Sequence, residues 1–251
     1  MPELSLAQLA EATGGELLRG RPETLVGNFE IDTRRLDSGG AFFALKGSRS
    51  DGHDHLEDAA ARGAAVAVVE RDPEPDTPAP PALIRVEETG AALGRCGGWV
   101  RRRLRSTRWI AVTGSNGKTT TKELIAEGLA ASHRVYRTPG NFNNQLGLPL
   151  SLLRCPDDTE YAAIELGMSA AGEIAWLAGV TDPDVALLTN VRAAHLEFFG
   201  SLDEIAAAKG EMFATLRDEA TAVVNLDDVH VRVQAARHVG PRITYGQTLS
   251  L

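Results

Sequence analysis

Residues 109–123 read "WIAVTGSNGKTTTKE". An apolar run meets a glycine-rich turn, then Lys118 and three threonines, then a helix-forming stretch. Gly114, Gly117, Lys118 and Thr119 form G-x-x-G-K-T between an expected strand and an expected helix. Glycines let backbone N–H groups turn toward phosphate oxygens, and a helix N-terminus adds partial positive charge. The stretch therefore reads as a phosphate cradle made of Gly114, Ser115, Asn116, Gly117, Lys118, Thr119 and Thr120. In such a loop the lysine reaches the β- and γ-phosphates and the following hydroxyl ligates Mg²⁺. The common pattern asks for a glycine five residues before Gly117, where this chain has Val112. A bland alternative is a glycine turn with a surface lysine, and the strand–turn–helix context argues against it.

Beyond this stretch, apolar runs alternate with helical segments. The runs are "WIAVTG", "RVYRT", "YAAIEL", "VALLTNV", "AVVNL" and "RITYG". Helices are expected around 118–132, 144–154, 171–179, 202–217 and 228–238. This alternation predicts a mostly parallel P-loop-type sheet with helices on both faces. Ligands of such sheets bind beyond the carboxyl ends of the strands.

Toward the N-terminus the pattern is a small mixed α/β unit. Ser5 and Gln8 have capping-box spacing ahead of a short helix closed by Gly14 and Gly15. Strands are expected in "LVGNFEI" and "AFFAL", separated by the turn "DTRRLDSGG". A helix through "LEDAAARGA" and the run "AVAVV" follow. "RDPEPDTPAPP" at 71–81 carries too many prolines for helix or central strand and reads as a spacer. The fold class is α/β. The expected domains are 1–82, a connecting strand and helix over 83–106, and 107–251. The arginines of "WVRRRLRS" read as a solvated helix face at that boundary.

The net charge is −8, which argues against nucleic-acid binding. No apolar run nears the roughly 18 residues needed to span a bilayer, so no membrane partner is expected. Residues 1–20 lack a charged-then-apolar signal pattern, and two cysteines, Cys96 and Cys155, suit a reducing cytosol. A cytoplasmic monomer is expected.

The residues around the loop narrow the family. "VTGSNGKTTTKE" resembles the T-G-[ST]-N-G-K-[ST]-[ST] loop of the Mur ligases, which departs from the common pattern in the same way. "TPGNFNNQLGLPLSLL", "AAIELGMSAAGEIAWLAGVTDPDVALLTNV" and "AHLEFFGSLDEIAAAKGEMF" resemble the segments that follow it in that family. In the small unit, "DTRRLDSGGAFFALKGSRSDGHDHLEDAAARGAAVAVVE" is similar to the family's uridine-nucleotide-binding domain. Together these cover most of residues 25–225. The pair "GNFNNQLG" and "ELGMS" points to the branch that joins D-alanyl-D-alanine to UDP-N-acetylmuramoyl-tripeptide in peptidoglycan precursor synthesis.

The resemblance implies an ATP-dependent amide ligation. The substrate carboxylate takes the γ-phosphate to give an acyl phosphate, and the amine of D-alanyl-D-alanine then displaces phosphate. It also implies two Mg²⁺ ions, because one anion must approach another. Glu165 ends the strand "YAAIEL"; strand position alone leaves ligand and solvated side chain equally open, and the resemblance makes it a magnesium ligand with Thr119. The resemblance likewise gives His195 a metal-binding role. It makes Lys209 a carbamylated metal ligand, in a chemistry that needs a neutral amine and is favoured by burial. Lys118, Lys209 and His195 are thus the expected catalytic residues. Asn143 and Asn144 would face the UDP-sugar-peptide, against a plain turn-forming role. Asp32, Thr33 and Arg34 match the family's D-S-R substrate loop with threonine for serine. "DGHDH" at 51–55 reads as a loop and helix entry without metal.

Members of the family carry a third, C-terminal domain. This chain ends at Leu251, so a truncated product that does not ligate by itself is expected. Three other readings stay open: a ligase adding a single amino acid to the dipeptide precursor, a related ligase of the folylpolyglutamate or cyanophycin type, and a non-catalytic UDP-precursor-binding protein.

Overall fold

A computed structural model of the chain describes residues 3–48, 50–193 and 199–247. The chain divides into two compact units, residues 1–103 with 149–157, and residues 104–148 with 158–251.

The first unit opens with β1 (Leu4–Ser5) and α1 (Leu6–Thr13). Ser5 Oγ accepts from Gln8 N and Gln8 Oε1 accepts from Ser5 N, so the capping box forms as expected. Such a cap stabilises the helix by about 1 kcal/mol. Leu6 and Leu9, spaced three apart on one helix face, are fully buried. There follow β2 (Glu16–Arg19), β3 (Leu25–Val26), β4 (Phe29–Glu30), β5 (Ala41–Phe43), α2 (Leu56–Ala61), β6 (Val66–Val69), β7 (Ala82–Arg85) and α3 (Thr89–Arg103).

The main sheet has the order β2-β7-β6-β5-β4, with β4 to β7 parallel and β2 antiparallel to β7. The run "LVGNFEI" is not one strand. It breaks at Gly27–Asn28, so that β3 pairs with β1 in a separate two-stranded sheet while β4 joins the main sheet. Asn28 is taken up by other bonds at the break: its carbonyl accepts from Ala41 N and its Oδ1 from Asp37 N. Phe42, Leu56, Ala67, Val69 and Leu83 form one buried cluster beneath the sheet.

The strand and helix expected to connect the domains belong to this first unit as far as Arg103. β7 lies inside its sheet, and α3 packs on α1, where Arg95 Nε donates to Thr13 O at 2.8 Å. Residues 149–157 also join this unit. Arg154 from that segment pairs with Glu30, whose side chain is only 4% exposed. Burial raises the Glu30 carboxyl above its ordinary value, against the pull of Arg154. At the end of α3, Arg102 and Arg103 are exposed, and the Arg103 guanidinium lies 4.8 Å from the Trp99 ring centre.

The second unit is built from β8 (Arg108–Thr113), α4 (Lys118–Ala130), β9 (Val135–Arg137), the first two residues of α5 (Gly147–Leu153), whose remainder belongs to the first unit, and then β10 (Tyr161–Glu165), α6 (Glu173–Thr181), β11 (Val185–Leu188), α7 (Leu202–Thr215), β12 (Thr221–Asn225), α8 (Val229–Ala235) and β13 (Arg242–Tyr245). All six strands are parallel, in the order β13-β12-β11-β8-β10-β9. α4 packs on β8, β9 and β10, whereas α6, α7 and α8 pack on one another and on β8, β11 and β12. The crossovers leave the centre of the sheet in opposite directions. Right-handed connections therefore place the two helix groups on opposite faces.

The central strands β8, β10 and β11 are largely apolar and mostly buried, as expected of strands covered on both faces. Register aligns Glu165 with Val112 and Leu188 with Thr113. The carboxyl ends of these three strands thus finish level with the start of the 114–117 turn. Among the described residues no helix is long and apolar enough to cross a membrane.

Candidate functional site

The glycine turn follows β8 directly. Gly114 has φ +148°, and a Cβ there would lie 1.9 Å from Thr189 Oγ1, so only glycine fits. Gly117, at φ +79°, precedes the first turn of α4 and offers it no side-chain cap. The N-terminal amides of α4 are therefore left for another partner. Lys118 Nζ lies back over the turn and donates to Gly114 O at 2.9 Å.

The turn is held from β11's end. Thr189 Oγ1 donates to Asn116 O at 2.7 Å, and Asn190 Oδ1 accepts from Asn116 N at 3.1 Å. Ser115 N donates to Asn190 O at 2.9 Å. Ser115 Oγ donates to Arg192 O at 3.0 Å and accepts from Arg192 N at 2.8 Å. "TN" at 189–190 gave a weak sequence signal for this work, as polar residues closing an apolar strand; Arg192 gave none.

Glu165 is 3% exposed and stands at the end of β10. Its Oε2 accepts from Thr119 Oγ1 at 2.7 Å, and its Oε1 accepts from Asn143 Nδ2 at 2.8 Å. Carboxylate and hydroxyl oxygens side by side, next to a phosphate cradle, suit Mg²⁺. That ion takes one or two protein oxygens and completes its shell with water and phosphate. Among the described residues no three His, Cys, Asp or Glu side chains converge as a self-sufficient metal site.

A cavity of about 450 Å³ opens beside these groups, lined in part by Lys118, Asn143, Asn144, Met168, Glu173 and Lys209. Lys209 is 2% exposed on α7. Burial pushes its ammonium down to about 8 from 10.5, and the charge of Lys118 adds to the shift. Asn143 reaches the cavity wall through its bond to Glu165, whereas Asn144 Oδ1 accepts from Leu146 N and Gly147 N and so starts α5. Glu173, which sequence reading passed over, sits on the wall and binds Ser169 N and Ala170 N. His195 lies outside the described residues.

The first unit has its own cavity of about 520 Å³, lined in part by Asp32, Thr33, Arg34, Phe42, Ser50 and His55. Arg34 Nε donates to Asp32 Oδ1 at 2.9 Å and Nη2 to Oδ2 at 2.7 Å. This pairing holds the Asp32 carboxyl down at about 2. The "DGHDH" stretch forms a 3-10 turn over Gly52–His55. His53 Nε2 accepts from Glu70 N at 2.9 Å, which leaves its Nδ1–H to face Asp51 Oδ1 at 2.6 Å. His53 thus bridges two backbone segments and holds its ring by both nitrogens.

A Gly-Lys-Thr turn after a central parallel strand, a strand-end glutamate bound to its threonine, and a buried lysine on the wall of the cavity beside them make up a site suited to a nucleotide's phosphates. The Mur ligase middle domain matches residues 112–249, and the Mur ligase family catalytic domain matches residues 26–96. The chain belongs to the Mur ligase family.

Within that family it is similar to the UDP-N-acetylmuramoyl-tripeptide–D-alanyl-D-alanine ligase of Escherichia coli, at 42% identity over 228 residues, which are 91% of this chain and 49% of the relative. MurF from Acinetobacter baumannii superposes with a TM-score of 0.90 at 35% identity, covering 98% of this chain and 54% of that one. MurF from Thermotoga maritima, solved in complex with ADP, gives a TM-score of 0.78 at 35% identity over 88% of this chain and 50% of that one. The chain spans about half the length of the curated relatives it matches.

Proposed function

We propose that this chain binds ATP and UDP-N-acetylmuramoyl-tripeptide for a ligation that adds D-alanyl-D-alanine through an acyl phosphate. The observation that carries the reading is the shared cavity: Lys118 of the phosphate turn and the buried Lys209 line one space, with Asn143 linking its wall to Glu165. The similarity to ligases of that name, and to a MurF solved with ADP, supports the choice of substrates.

The chemistry sets what each residue does. The terminal carboxylate oxygen of the tripeptide bonds to the γ-phosphorus as the bond to ADP breaks. The dipeptide nitrogen then bonds to the acyl carbon, phosphate leaves, and the nitrogen loses a proton. Lys118 exchanges Gly114 O for the phosphates. Glu165 and Thr119 would hold Mg²⁺, and His195 and Lys209 would be donors toward a second ion. When bound, magnesium supplies the positive charge that lets two anions meet. Asn143 fixes the rotamer of Glu165 by holding the oxygen that Thr119 does not. Lys209, partly neutral at physiological pH, is the amine that CO₂ converts to a carbamate. Asp32, Thr33 and Arg34 are the substrate-facing residues of the first unit, and Asn143 and Asn144 are those of the second.

Calorimetric titration with UDP-N-acetylmuramoyl-tripeptide and with the corresponding dipeptide tests the choice of precursor. The tripeptide should bind at least about tenfold more tightly. Equal binding, or preference for the dipeptide, would favour a ligase that adds one amino acid. Tripeptide binding with no heat from Mg-ATP would favour a non-catalytic precursor-binding protein.

A further inference from the structure

Asp228 lies between β12 and α8, far along the sequence from the phosphate turn, and its side chain is 1% exposed. Its two oxygens do different work. Oδ1 accepts from His230 N at 3.0 Å and Val231 N at 3.1 Å, which caps α8. Oδ2 accepts from Val191 N at 2.9 Å and Arg192 Nη1 at 2.7 Å. The cap alone needs one oxygen, so the second bond set is a separate function of the side chain.

Residues 190–192 are the strip that grips the turn. Asn190 holds Ser115 N and Asn116 N, and Arg192 exchanges two hydrogen bonds with Ser115 Oγ. The carboxylate would be raised by burial, yet the Val191 and Val231 amides and the Arg192 charge hold it below the ordinary range. It is a fixed anion with four donors on it, two from a helix and two from the strip.

We propose that Asp228 is a positioning residue for the nucleotide: through Val191 and Arg192 it sets Ser115, and so the direction of the amides in the 114–117 turn. The inference rests on the reading of that turn as a phosphate site. Amides aimed before the ligand arrives bind it without paying for reorganisation, so loosening the strip weakens binding although Asp228 touches no phosphate.

The test is ADP binding with magnesium, by calorimetry well below the unfolding transition. Asp228→Asn keeps an oxygen for the cap but turns an NH₂ group toward Val191 N. Asp228→Ser keeps a capping hydroxyl and removes the second acceptor. Both should weaken ADP by about tenfold, the usual scale for a coupled hydrogen-bond network. Combined with Ser115→Ala, either should add little further loss, since the effect passes through Ser115. A purely structural role would lower the melting temperature, leave the ADP affinity unchanged, and show no coupling to Ser115. Unchanged affinity in both variants, or full additivity with Ser115→Ala, would overturn the inference while leaving the phosphate site standing. Absence of ADP binding in the unaltered chain would overturn the site reading and the inference with it.

Discussion

Lys209 offers the sharpest chemical test. With its ammonium held at about 8 rather than 10.5, the neutral fraction at neutral pH is about 300-fold that of an ordinary lysine. Carbamate formation requires the neutral amine, so Lys209 should outcompete the surface lysines for CO₂. The assay is carbon NMR of the protein in labelled bicarbonate, between about pH 7 and 9. A single carbamate resonance should appear and be absent in Lys209→Gln. Lys118→Met removes the secondary cause of the shift, so the Lys209 value rises and the resonance at neutral pH shrinks. The same shift has a stability consequence. Between about 8 and 10.5 the unfolded chain binds more protons at this position than the folded one, so stability in the absence of CO₂ climbs with pH across that window, by at most about 3 kcal/mol. Lys209→Met should flatten the climb. No carbamate resonance across the range, or one that survives Lys209→Gln, would rule out Lys209 as the amine that takes up CO₂.

Gly114→Ala places a Cβ 1.9 Å from Thr189 Oγ1, so a thermal melt should show destabilisation of about 1–3 kcal/mol and ADP binding should fall sharply, with partial recovery in the double variant carrying Thr189→Ala. Arg154→Leu strands the buried Glu30 carboxylate, and urea unfolding should register a loss of about 3–5 kcal/mol. Because the folded Glu30 binds its proton more tightly than the unfolded one, stability should fall as pH rises from 4.5 through its raised value, and Glu30→Gln should remove that slope. Arg34→Ala, at an exposed ion pair, should leave the melting temperature nearly unchanged yet weaken UDP-precursor binding while ADP binding stays constant.

The second unit was legible because its signals are local and repeated. Six apolar runs with helical stretches between them leave few arrangements, and each run became a parallel strand. The phosphate turn was legible for a similar reason, since glycines, lysine and threonine sit together in the chain. Thr119 and Glu165 were readable one by one, but their contact comes from strand register, which places β10 beside β8 across more than forty intervening residues. The break at Gly27–Asn28 escaped notice because the residues on both sides have strand character and only pairing partners distinguish the two pieces. β2 escaped notice because its pattern is too short and half exposed. The transfer of residues 149–157 to the first unit left no local mark, because a buried ion pair between Arg154 and Glu30 joins positions 124 apart. Asp228 was invisible for the same reason: in sequence it is an ordinary helix cap, and its second oxygen acts only in the fold.

On the reading proposed above, the 114–120 turn, with Lys118, holds the phosphates of ATP in this chain. Titrating Mg-ATP into the chain and into Lys118→Ala, with UDP-N-acetylmuramoyl-tripeptide titrated in parallel, tests it most directly. ATP should bind one-to-one and weaken by more than about tenfold in the variant, while the precursor binds both proteins alike. No ATP binding by the unaltered chain, or equal ATP affinity in Lys118→Ala, would contradict it.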